Sequence, residues 1–275
     1  MALTQEKREK ALRKELLSVM KLEKKLEKAA METRPSGWKT ALEQKVPKKV
    51  YGTLQAAFAK AFETVFSKGR SIIEKSYRKD AILEDQSIRE YAVLVKGGRK
   101  QLKEIRRKAQ GADLRNLAFT TVSGVGLGAF GIGLPDIVLF ISTLLKGVYE
   151  TALNYGFDYT SRDEQILILK MMAGALSTGE EWKKRSDEVD DLMGGDACDL
   201  SDEAFQAQMQ ATASAFAVDM LLLKFIQGTA IVGIIGGAAN PVYYRKVMRY
   251  VQVKYRKRHL WKMSAELTRR KQNQQ

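Results

Sequence analysis

Apolar residues recur along this chain at three- and four-residue steps, and no alternation of strands and helices interrupts the pattern. From Leu3 to Glu32 the spacing predicts one long, highly charged helix, with Leu12, Leu16, Val19, Leu26 and Ala30 on one stripe, Leu22 at its edge, and Lys and Glu elsewhere. Arg34-Pro35-Ser36-Gly37 ends it. Beyond Pro47, the residues Val50, Leu54, Phe58, Ala61, Phe62 and Val65 mark a second amphipathic helix, and helical patterns continue from Ile72 to Val95. A basic stretch, Arg99 to Arg107, then leads to Gly111.

The centre of the chain is more distinctive. Glycine occurs at 124, 126, 128, 131 and 133, followed by Leu134-Pro135-Asp136 and an apolar helix that ends near Asn154-Tyr155-Gly156-Phe157-Asp158. Pro135 suits the first helical position, Asp136 the positive end of the helix dipole, and Gly156 the left-handed position past the end. Ser161 with Glu164 three residues later reads as a capping box that opens the next helix. A polar break is expected from Asp187 to Asp199, after which Ser201 opens a helix carrying Phe205, Met209, Thr212, Phe216 and Met220. Asn240 and Pro241 begin the last helix, where Tyr244, Val247, Met248, Val251 and Tyr255 form the apolar stripe. Arg245, Arg249 and Arg256 share its far side, with Lys246 and Lys257 nearby, as in basic amphipathic helices that lie on anionic membranes. The expected fold is all-α: a multi-helix bundle with a glycine-rich central helical hairpin, divided into a basic N-terminal helical extension (1–35) and a helical domain (36–275).

Gly126, Gly128 and Gly131 satisfy a G-x-G-x-x-G pattern, but the strand-loop-helix setting that would cradle a pyrophosphate is missing. Small residues at four-residue spacing instead let helices approach closely. The run from Leu117 to Leu145 carries only Asp136 as a formal charge, yet Pro135 splits it into pieces shorter than the roughly 20 residues of a span. Phe225 to Tyr244 is interrupted by Gly228, Gly233, Gly236 and Gly237. Buried core helices are the favoured reading of both, with shallow insertion of the hairpin as the alternative.

Lys and Arg number 47 against 32 Asp and Glu, a formal net charge of +15. Such an excess attracts nucleic acid or anionic headgroups. No zinc-finger, ribonucleoprotein or KH-type motif accompanies it, so nucleic acid is disfavoured. Cys198 is the only cysteine, which excludes an intramolecular disulfide, and the charged N-terminus is unlike a secretory signal. A cytoplasmic protein associated peripherally with the inner face of the membrane is expected.

Little catalytic chemistry is available. The single histidine, His259, sits within Arg256-Lys257-Arg258, which would repel a cation, so no metal site and no cofactor are expected. Carboxylates remain as candidates for acid–base work or for holding a magnesium ion through oxygens: Asp136, Asp158 and Glu164, with a hydrolase-type or metal-dependent enzyme using Asp158 and Glu164 as the alternative function. Asp136 and Asp158 stand at opposite ends of a helix about 30 Å long, whereas Asp158 and Glu164 can be neighbours. Dipole, turn and capping roles account for all three without a reaction.

Taken together, Gly133-Leu134-Pro135-Asp136-Ile137, then Tyr155-Gly156-Phe157-Asp158 with Glu164, then Gly233-Ile234-Ile235-Gly236-Gly237 with Asn240, resemble the EcsC family of bacterial proteins over roughly 90–260. Val138 departs from the resemblance, standing where many relatives place proline. The charge and amphipathic helices point to an anionic membrane surface or a membrane protein as partner; the resemblance implies a helical, membrane-associated protein and adds an ABC transporter system as a further partner. It carries no reaction, so no catalytic residue transfers.

Overall fold

The computed structural model describes residues 2–32, 46–111, 134–226 and 240–273. These residues form α1 (Ala2–Glu32), α2 (Lys48–Thr64), a π-helical turn Val65–Gly69 that continues into α3 (Arg70–Lys75), and α4 (Lys79–Lys96). Next come α5 (99–111), α6 (Leu134–Asn154), α7 (Arg162–Leu176), α8 (Glu180–Gly194), α9 (Asp202–Ile226) and α10 (Asn240–Gln272). Among the described residues there is no strand, and the all-α bundle expected from the pattern is the fold. The glycine-rich run Gly124 to Gly133 lies outside the described residues, as do Gly233, Gly237 and the side chains of Pro135, Asp136 and Asn240.

The apolar stripes become the core. Leu54, Phe58, Ala61, Phe62 and Val65 are all buried, as are Phe205, Met209, Thr212, Phe216 and Met220 on α9. Phe216 joins three helices, its ring centroid 5.1 Å from Phe58, 5.7 Å from Phe62 and 6.1 Å from Phe140. Such tilted and edge-on contacts suit the aromatic quadrupole. On α10 the predicted stripe from Tyr244 to Tyr255 is fully buried.

Helix α10 is enclosed by α1, α6, α7 and α8, while α2 and α9 close the far side against α6 and α7. The window Ile137–Asn154 of α6 is, among the described residues, the one long and apolar enough to cross a membrane. Its residues are 78% buried inside the protein, so its apolar surface is spent on α2, α4 and α10. Gly147 permits the closest approach: a Cβ there would run into the Tyr244 hydroxyl and stand 3.2 Å from Met248 Sδ.

One local expectation changes. The stretch expected as a polar break is helical as far as Gly194, because Trp182, Ser186 and Val189 return every three or four residues to the buried face of α8. Gly195, at φ 107°, ends that helix instead. The helix expected as an N-terminal extension packs against the rest of the protein. Helix α1 lies along α10 and touches α8, and the Gly179 N–H donates to the Ala30 carbonyl at 3.1 Å.

The end of α6 is as expected. Gly156 has φ 78°, with Phe157 N–H donating to the Ala152 carbonyl and Gly156 N–H to the Leu153 carbonyl, both at 3.0 Å. That pair of bonds is a Schellman closure. Gly156→Ala is expected to cost about 1–2 kcal/mol from the left-handed backbone alone. Its Cβ would also stand 2.7 Å from Gln86 Nε2, so a urea midpoint unchanged from wild type would remove this account of the turn.

Candidate functional site

A helix enclosed on several sides cannot keep all its cations in water, and α10 shows where the inward ones go. Lys254 is fully buried, and its ammonium donates to Glu23 Oε1 at 2.6 Å, Asp190 Oδ1 at 2.7 Å and Ser186 Oγ at 2.8 Å. One turn on, Lys257 donates to the other oxygens of the same carboxylates, Glu23 Oε2 at 2.6 Å and Asp190 Oδ2 at 2.7 Å. Two cations and two anions from α1, α8 and α10 thus form a closed square. Burial opposes ionisation of Glu23, but Lys254 and Lys257 overcome it and hold its carboxyl below the usual range.

A second cluster is not balanced. Glu15, on the buried face of α1, accepts from Arg99 Nε on Oε1 and from Arg106 Nη1 at 3.4 Å and Arg256 Nη2 at 2.6 Å on Oε2. Despite its burial, hydrogen bonds and charge from these three arginines hold the Glu15 carboxyl below its ordinary value. Arg256 is only 5% exposed, and its Nη1 is buried with no acceptor among the described residues. Desolvation, only partly offset by Glu15, lowers the Arg256 pKa.

The expected sites are therefore redistributed. Of the five α10 cations assigned to a membrane or anion surface, Arg245 and Arg249 are exposed. Lys246 is half-buried and donates to both oxygens of Asp219, at 2.8 and 2.9 Å. Arg256 and Lys257 lie inside the ion clusters, because α1 and α8 cover the face of α10 that its own stripe leaves polar. Their role as surface contacts is corrected accordingly.

Glu164 is not a capping residue. Its buried carboxylate turns to α10, where the Tyr255 hydroxyl and Arg258 Nη1 each donate at 2.6 Å. The Arg258 bond is charged on both sides, whereas a capping box would offer this carboxylate only a neutral N–H donor. Ser161 still occupies the N-cap position, with extended backbone and no side-chain capping bond. Asp158 faces solvent, accepting from the Thr160 N–H at 3.1 Å and hydroxyl at 2.7 Å with Lys79 at 3.9 Å. Slight burial opposes its ionisation, and the Thr160 bonds outweigh it and hold its carboxyl low. The two carboxylates are committed to different partners and share no substrate position. Asp136 begins α6, with its side chain outside the described residues, and Tyr155 is buried, accepting from His259 Nδ1 at its carbonyl. Among the described residues, no three His, Cys, Asp or Glu side chains converge as metal ligands.

The sequence reading missed the inward charges of α1. Arg8, Glu15 and Glu23 interleave with Leu12, Val19, Leu26 and Ala30 at steps of three and four, so they lie on the apolar stripe itself. That coincidence was the available signal. The opposite face carries Lys14, Lys21, Lys24, Lys25 and Lys28 in solvent together with Leu17 (52% exposed), Met20 (54%) and Met31 (43%).

The EcsC protein family model matches residues 10–260, a span that begins inside α1 and ends within α10. No curated protein and no solved structure matches the chain. With nine-tenths of its length under that one model, the chain belongs to the EcsC protein family.

Proposed function

We propose that this protein binds the surface of an anionic membrane from the side, without spanning it, and that the outward face of α1 makes the contact. The observation that carries the reading is the mixture on that face: Leu17, Met20 and Met31 stand exposed among five lysines. Apolar side chains immersed at the headgroup boundary contribute burial, and each lysine near an anionic leaflet contributes about 1 kcal/mol. The opposite face of α1 is anchored to α10 by Glu15 and Glu23, so the helix is already formed and oriented before any lipid arrives. Arg245 and Arg249, exposed near the start of α10 beside the half-exposed Val242, are available as further contacts. A membrane-protein partner is the second reading, favoured by the exposed stripe Ile88, Tyr91 and Val95 on α4.

Flotation with phosphatidylcholine vesicles, with and without phosphatidylglycerol, tests the first reading. Binding is expected only to the anionic vesicles and should weaken steeply with salt, since exposed charges are screened within about 10 Å at 0.1 M. The double variant Leu17→Glu, Met20→Glu should lower binding about tenfold or more while leaving the melting temperature unchanged. Absence of flotation with anionic vesicles at low salt removes the proposal.

A further inference from the structure

Between α1, α5 and α10 lies a cleft of about 700 Å³ whose lining includes Lys14, Lys21, Lys25, Arg99, Arg106 and Arg256. Among the described residues the carboxylate bonded to its arginines is Glu15, and three guanidiniums already divide its two oxygens. Each guanidinium has five N–H donors, so Glu15 leaves most of them unsatisfied. The exposed lysines and half-exposed Arg99 can turn to water. Arg256 cannot, because it is 5% exposed and its buried Nη1 has no acceptor among the described residues. A donor kept in that condition costs about 1–3 kcal/mol, more for a charged group, unless something supplies an acceptor.

We propose that this cleft binds a phosphate group, carried by an anionic lipid headgroup or free in solution. A phosphate has the acceptor oxygens that Arg256, Arg99 and Arg106 lack, and planar guanidiniums bind such oxygens in pairs. The surplus of cations over Glu15 supplies the charge balance. Leu17 and Leu22, exposed on the same lining, add an apolar border suited to the acyl end of a lipid. In its lipid form the inference deepens the membrane reading by naming the headgroup site; in its free-phosphate form it stands without that reading.

The test uses the full chain, a triple variant Lys14→Glu, Lys21→Glu, Lys25→Glu, and a charge-matched control Lys48→Glu, Lys49→Glu, Lys75→Glu. All six lysines are exposed, so neither variant disturbs the buried clusters. Inorganic phosphate is titrated calorimetrically in one arm. Vesicles of phosphatidylcholine with phosphatidic acid, against phosphatidylcholine alone, are sedimented in the other. At least a tenfold loss of affinity in the cleft variant, and less in the control, is expected in one or both arms. Loss confined to vesicles assigns the site to lipid where Arg106→Gln, which leaves the outward lysines of α1 in place, loses vesicle binding too, whereas loss in the phosphate arm assigns it to the phosphate group itself. Equal loss in the two variants, or no binding by wild type in either arm, overturns the site. Wild-type flotation that Arg106→Gln retains, with no phosphate binding by wild type, defeats this inference and leaves the membrane reading standing; phosphate binding without flotation does the reverse.

Discussion

Replacing Lys254 with methionine is expected to destabilise the protein by about 3–5 kcal/mol, the usual cost of removing one partner from a buried ion pair. Methionine keeps the length and apolar stem of the side chain, so the packing of α10 changes little and the loss is electrostatic. Glu23 and Asp190 would then share Lys257 alone, and the buried Ser186 hydroxyl would lose the ammonium that donates to it. The measurement is the urea midpoint at neutral pH, with Asp190→Asn and the double variant completing a cycle. Because the double variant removes one charge of each sign, it should recover part of the loss, and a coupling of about 0.5–3 kcal/mol is expected for residues in direct contact. A Lys254→Met protein within 1 kcal/mol of wild type would mean that the square does not tie α1 and α8 to α10.

Acidification from pH 6.5 to about pH 4 is expected to cost about 3 kcal/mol through His259 alone. Burial lowers its pKa to about 4, with Lys262 adding to the effect and the Tyr155 carbonyl and Glu266 opposing it. Nδ1 donates to the Tyr155 carbonyl at 3.1 Å, which leaves Nε2 as the site a proton would take. Nε2 is buried with no partner among the described residues, so a new N–H there would have no acceptor. The folded pKa lies below the unfolded value near 6.5, hence the unfolded chain binds more protons between the two. The stabilisation is therefore complete above about pH 6.5 and is lost as pH falls toward 4. Carboxylates held low, such as Glu15, Glu23 and Asp158, begin to lose their contribution near pH 5, as the pH enters the unfolded carboxylate range. As the chain has one histidine, the intervening window belongs to it. In His259→Gln the slope of stability against pH between 6.5 and 5.5 should disappear; its persistence would contradict this assignment.

The α10 cations show why the candidate site was only half legible. Tyr244, Val247, Met248, Val251 and Tyr255 could be assigned to the core from spacing alone, because the period of an apolar stripe is a local property of one helix. Arg256 and Lys257 could not be told from Arg245 and Arg249, which share their chemistry and their distance from that stripe. Their partners Glu15 and Glu23 stand 241 and 234 residues away along the chain. Glu164 misled for a similar reason. Its position three residues after Ser161 satisfies a capping pattern, but Tyr255, 91 residues on, offers its carboxylate a buried bond instead.

The order of residues by itself determined the helical class, the inward apolar faces of α2, α6, α9 and α10, the left-handed turn at Gly156 and the family motifs. Each depends on interactions within a few residues of one another, where spacing and backbone preference suffice. Tertiary structure alone decided which charges are buried, which carboxylates meet which cations, and that three arginines converge on Glu15 beside the lysines of α1. A charged side chain has no burial of its own; the helix that comes to lie over it supplies either water or a counter-ion, and that choice is made only when α1, α5, α8 and α10 pack.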